Sequence, residues 1–194
     1  MTLAFDVMSD TSDEGLLRLY ASGDQAAARA LMLRHAPRVL SLAKRLLKDG
    51  AEAEDVTQEA MLRLWKIAPD WRSGDAKVST WLYRVASNLC TDRLRKKRGV
   101  GLDQAPEVED EAPNVEDRMI AADRGRALRA AMDRLPERQK LAVTLRHFEE
   151  QSNPEIAEIL ETSVEAVESL LSRARRALAA DLSSKRSALG LAMD

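Results

Sequence analysis

One cysteine, Cys90, stands in 194 residues. That excludes an internal disulfide framework and suits a reducing compartment. Aromatic residues make up only 4% and β-branched runs are scarce, so strands have little to build on. No apolar run reaches the length of a membrane span. The opening "MTLAFDVMSD" lacks a basic start and carries Asp6 within its short apolar run, so it does not read as a secretory signal. It reads instead as a disordered tail over residues 1–12, and Met8 is an alternative start. Net charge is also small, at −2, which argues against a uniformly basic surface.

What is abundant is helix-forming. Hydrophobic residues are 45% and charged residues 32%, with Ala, Leu, Arg and Glu dominant. An all-α fold is expected. Periodicity predicts helices over 13–22 and 24–35, with a break at Gly23. Pro37 is expected to open a further helix, ended by Asp49-Gly50. Residues 52–68 follow, stopped by Pro69, and then 78–95 after a loop containing Gly74. "GVGLDQAPEVEDEAPNVED" has two Gly, two Pro and no cation, and reads as an extended acidic linker. Beyond it, helices are predicted at 118–134 and 136–149, with Pro136 in a first turn.

Three segments carry chemistry. In "SNPEIAEILETSVEAVESLLSRARRAL", Ser152/Glu155 and Thr162/Glu165 have capping-box spacing. Two capped helices across a tight turn make a helix-turn-helix signature. At 100° per residue, Val164, Val167, Leu171, Ala174 and Leu178 share one face of the second helix. Glu165, Glu168, Ser169, Ser172 and Arg176 share the other, flanked by Arg173 and Arg175, as major-groove readout requires. An ordinary helical hairpin with a solvated face fits the same pattern, its arginines complementing the helix dipole.

In "WLYRVASNLCTDRLRKKR", Leu82, Val85, Ala86 and Leu89 point one way. Arg84, Ser87, Asn88, Thr91 and Arg95 point the other, with Trp81 and Tyr83 at the edges. Rings interleaved with cations, here joined by Arg93, suit unpaired bases and their phosphates. The competing reading makes Trp81 a core residue and the cations a solvated helix end. Cys90 reads as core filling, and His35 and His147 as structural or exposed, because no ligand cluster surrounds them in sequence. On 52–68, Val56, Ala60, Leu64 and Ile67 form an apolar face. Opposite lie Asp55, Gln58, Glu59, Leu62 and Lys66, with Trp65 on the border. An apolar residue among acids suggests protein docking, although single exposed leucines are common.

The stretches "AEDVTQEAMLRLW", "STWLYRVASNLCTDRLRKKR", "LPERQKLAVTLRHFE" and "PEIAEILETSVEAVESLLSRARRAL", in this order and spacing, resemble a bacterial sigma factor of the extracytoplasmic-function type. The resemblance covers about 13–98 and 120–182. It implies a region 2 helical bundle at 13–98, a linker at 99–119, a region 4 helix-turn-helix at 120–182 and a tail at 183–194. Asp55, Gln58, Glu59, Leu62 and Trp65 match the family's docking surface for the RNA polymerase β′ subunit. Lys77, Trp81, Arg84, Asn88, Arg93 and Arg95 fall in the module that melts the promoter −10 element and captures a flipped base. Glu165, Glu168, Ser169, Ser172, Arg173 and Arg176 fall in the helix that reads the −35 element. The linker matches the segment threaded through the polymerase cleft. Family members often read "VKSRLSRAR" where this chain has "VESLLSRAR", with Glu168 and Leu170 at commonly basic positions, so the usual −35 sequence is not carried over.

The resemblance implies a cytoplasmic, non-enzymatic protein without cofactor or metal. Its implied partners are core RNA polymerase (β′ and β), promoter DNA and a cognate anti-sigma factor, with no direct membrane insertion. The alternative is a sigma mimic that sequesters an anti-sigma factor without binding DNA. An enzyme acting on nucleic acid is disfavoured, because the sequence offers no ligand cluster, nucleophile triad or phosphate-binding glycine loop.

Overall fold

A computed structural model describes residues 10–72, 74, 76–99 and 117–183, apart from the side chains of 98, 99 and 117–124. Eight α-helices occur among them: α1 Asp13–Ala21, α2 Gln25–Leu47, α3 Gly50–Ile67, α4 Val78–Gly99, α5 Asp117–Asp133, α6 Glu137–His147, α7 Asn153–Ile159 and α8 Val164–Ser183. A 3-10 turn, Ala68–Asp70, follows α3. No strand occurs among the described residues, in keeping with the all-α expectation. Most of the expected tails (1–12 and 183–194) and of the expected linker (99–119) lies outside the described residues, but the linker is shorter than expected, because α4 runs to Gly99 and α5 already starts at Asp117. Backbone contacts separate two units, one built on α1–α4 and the other on α5, α6, α8 and most of α7.

In the first unit, α2 is the hub, packing on α1, α3 and α4, while α3 also packs on α4. Its core is aliphatic: Leu16, Leu17, Leu31, Val39, Leu42, Val56, Leu64 and Leu82 are at most 1% exposed. Each such side chain contributes about 1.5–3 kcal/mol through burial. Gly23 takes φ 102, a left-handed value that glycine adopts without Cβ strain, and it separates α1 from α2. Ser12 and Asp24 cap the two helices by accepting from the amides of Gly15 and Ala26.

Pro37 does not open a helix. It lies inside α2, which runs unbroken from Gln25 to Leu47. An internal proline forfeits one backbone hydrogen bond and strains the turn before it. The buried stripe Leu31, His35, Val39 and Leu42 continues on both sides of it and outweighs that cost. Pro37 and Leu33 are both exposed, so water can take the Leu33 carbonyl that the proline leaves unpaired. The expected stop at Asp49-Gly50 is also corrected. α2 ends on Lys48, itself left-handed at φ 58, and Gly50 begins α3. Asp49 caps α3 by accepting from the Glu52 amide at 3.1 Å.

Polar ties hold α1 to α2. Asp13 accepts from Arg34 at 2.5 Å and lies 2.8 Å from the Nε2 of buried His35. Burial pushes the Asp13 carboxyl up, but the hydrogen bonds and charges of His35 and Arg34 outweigh it and hold the pKa below 3.8. His35 is therefore structural, while His147 is exposed.

In the second unit, α8 packs against α5 and α6. Met132, Leu135, Val143 and Ala174 form one cluster of its core, with Leu171 and Leu178 against it, and Leu145, Ile156 and Val167 are fully buried as well. Arg134 pairs with Asp181, and Lys140 with Asp133 at 3.0 Å. Pro136 sits one position before the first turn of α6, where its carbonyl accepts from the amides of Gln139 and Lys140.

Candidate functional site

On α3 the buried side comprises Ala53, Val56, Thr57, Ala60, Met61 and Leu64, while Ile67 is only half-buried. The face away from the core carries Asp55, Gln58, Glu59 and Leu62, one helical turn apart in pairs. Leu62 is 61% exposed, the most open of the large apolar side chains described. Glu59 accepts from Arg63 at 2.8 Å, so its charge is partly committed along the helix. Trp65 is half-buried, its ring 4.8 Å from that of Tyr20 at a 49° tilt. It buttresses one end of the surface, and Asp55, Gln58 and Leu62 stand fully outward.

The face of α4 differs from its helical-wheel expectation. Tyr83 is 2% exposed and Ser87 2%, so neither belongs to the outer polar face. The buried stripe is Val78, Leu82, Tyr83, Ala86, Ser87 and Cys90, while Val85 and Leu89 are half-exposed. α4 must fit against both α2 and α3, and that double contact turns the helix towards its tyrosine side. The exposed arc that remains includes Lys77, just before the helix, and Asn88 and Arg95, with Arg84 half-exposed.

Trp81 is half-buried and meets Trp71 edge to face, with centroids 6.0 Å apart and planes at 80°. Trp71 comes from the loop before α4, and the helical wheel gave no sign of this pairing. An aromatic residue in a glycine-containing loop ten positions upstream was the available clue.

The cationic end of α4 is not all free charge. Arg93 bonds Glu52 at 2.5 Å and Lys97 bonds Asp49 at 3.1 Å, tying α4 to the N-terminus of α3. Arg95 lies 3.7 Å from Asp92 within its own helix, and both are largely exposed. The Asp49 carboxyl is held below its usual value by the Glu52 amide, with Lys97 adding to the effect. Cys90 is buried, and desolvation pushes its thiol up to about 12, so it is inert packing at neutral pH.

In the second unit, Ser152 and Glu155 form the expected reciprocal cap. The Ser152 amide donates to the Glu155 carboxylate at 2.8 Å, and the Glu155 amide to the Ser152 hydroxyl at 3.4 Å. The second cap shifts by one residue. Ser163, not Thr162, accepts from the Ala166 amide, at 3.2 Å. α8 starts at Val164, so only the residue before it can reach the third amide of the helix. The turn between α7 and α8 includes Glu161 at φ 50, a left-handed position often filled by glycine.

Along α8, Val167 and Ala174 are buried. Glu165, Glu168, Ser172, Arg173 and Arg176 are exposed, and Ser169 is half-exposed. Residues 165, 168, 169, 172, 173 and 176 thus lie together on the outer face, as their spacing requires. They are not equally available. The Glu165 carboxyl bonds its own amide and the Ser163 hydroxyl, which lowers its pKa. Arg173 donates to Ser169 at 2.7 Å.

Among the described residues, no group of His, Cys, Asp or Glu could hold a metal ion, and no helix is long and apolar enough to cross a membrane.

The family Sigma-70 region 2 matches residues 31–100, and the family Sigma-70, region 4 matches residues 125–178. The chain is 34% identical over 178 residues to the ECF RNA polymerase sigma factor SigE of Mycolicibacterium smegmatis, covering 87% of this chain and 68% of that one. It is 30% identical over 183 residues to the RNA polymerase sigma-H factor of Pseudomonas aeruginosa, covering 89% and 94%. Among solved structures, CnrH in complex with the cytosolic domain of CnrY is similar at a TM-score of 0.68 and 25% identity, over 90% of this chain and 99% of that one. The sigma factor RpoE of Bartonella quintana, in complex with the anti-sigma factor NepR, has the same fold at a TM-score of 0.65 and 20% identity, over 80% and 96%.

Proposed function

Because the chain belongs to the extracytoplasmic-function sigma factors of the sigma-70 family, we propose that its three outward surfaces divide the work of starting transcription. The chain is a sigma factor: it binds core RNA polymerase and directs it to promoters. It acts by binding, without catalytic chemistry or a cofactor, in the cytoplasm where polymerase works. The outer face of α3, with Asp55, Gln58, Glu59, Leu62 and Trp65, docks on the polymerase β′ subunit. Lys77, Trp81, Arg84, Asn88 and Arg95 engage the melted −10 strand, with rings to stack bases and cations to hold phosphates. Arg93 serves that surface through Glu52, by fixing how α4 sits on α3. The outer face of α8 contacts the −35 element in the major groove. An anti-sigma factor holds the protein in reserve, as the cytosolic domain of CnrY is bound to CnrH and NepR to RpoE.

The observation that carries this reading is Leu62. An apolar side chain 61% exposed beside Asp55 and Gln58, on a helix whose other side is core, gives up little water contact within the unit. Such a residue, ringed by polar neighbours, suits an interface anchor. Leu62→Asp combined with Gln58→Ala should abolish association with core polymerase in a pull-down and leave helix content unchanged. Undiminished association would reject α3 as the docking surface.

A further inference from the structure

Resting on the reading that α8 binds DNA, we propose that Glu168 reads the exocyclic amino group of a cytosine in the upstream promoter element. Glu168 is the fifth residue of α8, on the outer face and within the N-terminal portion that a helix-turn-helix presents to base edges. It is exposed and has no hydrogen-bond or ion-pair partner among the described residues. Its neighbours on that face are already engaged: Glu165 with the cap, and Ser169 with Arg173. Arg175, one candidate partner for Glu168, makes no ion pair among the described residues, and nor does Arg176. Among the described residues, the helix therefore offers two guanidinium groups without an ion pair near its C-terminal half and one carboxylate without a partner near its start.

Next to DNA that carboxylate is repelled by phosphate and needs a donor. An ionised carboxylate only accepts hydrogen bonds. The major groove offers two amino donors, N4 of cytosine and N6 of adenine. Adenine places the N7 lone pair beside its amino group, which repels a second acceptor, whereas the neighbour of the cytosine N4 is a C5–H. Cytosine is thus the base a carboxylate selects. Adenine suits an amide, which both donates and accepts. The arginines supply position and affinity, and Glu168 the discrimination.

The test uses the full chain assembled with core RNA polymerase on a promoter library randomised in the upstream element, with bound sequences counted. Wild type should enrich cytosine at one position. Glu168→Ala should reduce that enrichment by roughly five- to 150-fold and leave other positions unchanged. Glu168→Gln should move the preference at that position towards adenine. Arg176→Ala should weaken binding to all sequences alike and flatten its salt dependence. Identical preferences for wild type and Glu168→Ala would overturn the inference while leaving DNA binding by α8 intact. If wild type shows no upstream preference and Arg176→Ala changes nothing, the DNA-binding reading of α8 fails and the inference falls with it.

Discussion

Replacing Trp81 with alanine separates two contributions of one indole ring. The side chain is half-buried, with an edge against Trp71 at 6.0 Å. A fully buried tryptophan cut to alanine costs about 3–5 kcal/mol. Trp81 is already partly in water, so its share of that loss is smaller. The edge-to-face pair returns about 0.5–1.5 kcal/mol of its own. A net loss of about 2 kcal/mol follows, or ~8–16 °C in Tm for a unit of this size. Stacking on an unpaired base is a separate contribution of about 1–3 kcal/mol, available only when DNA opens. Thermal denaturation should be measured beside transcription, at a temperature where the variant is still folded, on duplex and pre-melted promoters. Trp81→Ala should lose about tenfold more activity on duplex than on pre-melted DNA. Tyr83→Ala is the control: at 2% exposure it faces the core, so it should destabilise by at least ~3 kcal/mol and affect both templates equally. If Trp81→Ala also loses activity equally on both templates, in step with its folded fraction, the stacking role is refuted.

Two further outcomes follow from the polar contacts. Ser163→Ala should destabilise the second unit by about 1 kcal/mol in urea denaturation and Thr162→Ala by much less, the reverse of what the capping-box spacing suggests. Asp13 has a folded-state pKa below 3.8, so its contribution is present above the unfolded value and is lost as pH falls through the folded one. Wild type should therefore lose stability below about pH 4 more steeply than Asp13→Asn, which already lacks the charge at neutral pH; parallel acid profiles for the two would dismiss the Asp13–Arg34–His35 tie.

Much of the molecule was legible without coordinates because its signals are local. Helix type follows from apolar spacing and the scarcity of β-branched residues, and the Ser152/Glu155 cap from two residues three apart. The outer face of α8 follows from angles along one helix, and so does the isolation of Leu62 on α3. The order and spacing of the motifs pointed to the family. What sequence could not decide required two elements at once. Pro37 reads as a helix start until α1, α3 and α4 pack around α2 and hold its buried stripe continuous across the proline. Lys48 takes the left-handed position because α3 must begin at once, with Asp49 both capping it and bonding Lys97. On α4, the single-helix pattern favoured Val85 and Leu89 as core. Packing against two helices buried Tyr83 and Ser87 instead. It also paired Arg93 and Lys97 with acids, so part of a run that reads as free positive charge is structural. Periodicity along one chain ranks the faces of a helix. Which arc is buried, and which charges remain for a partner, depends on the neighbours that tertiary structure brings against it.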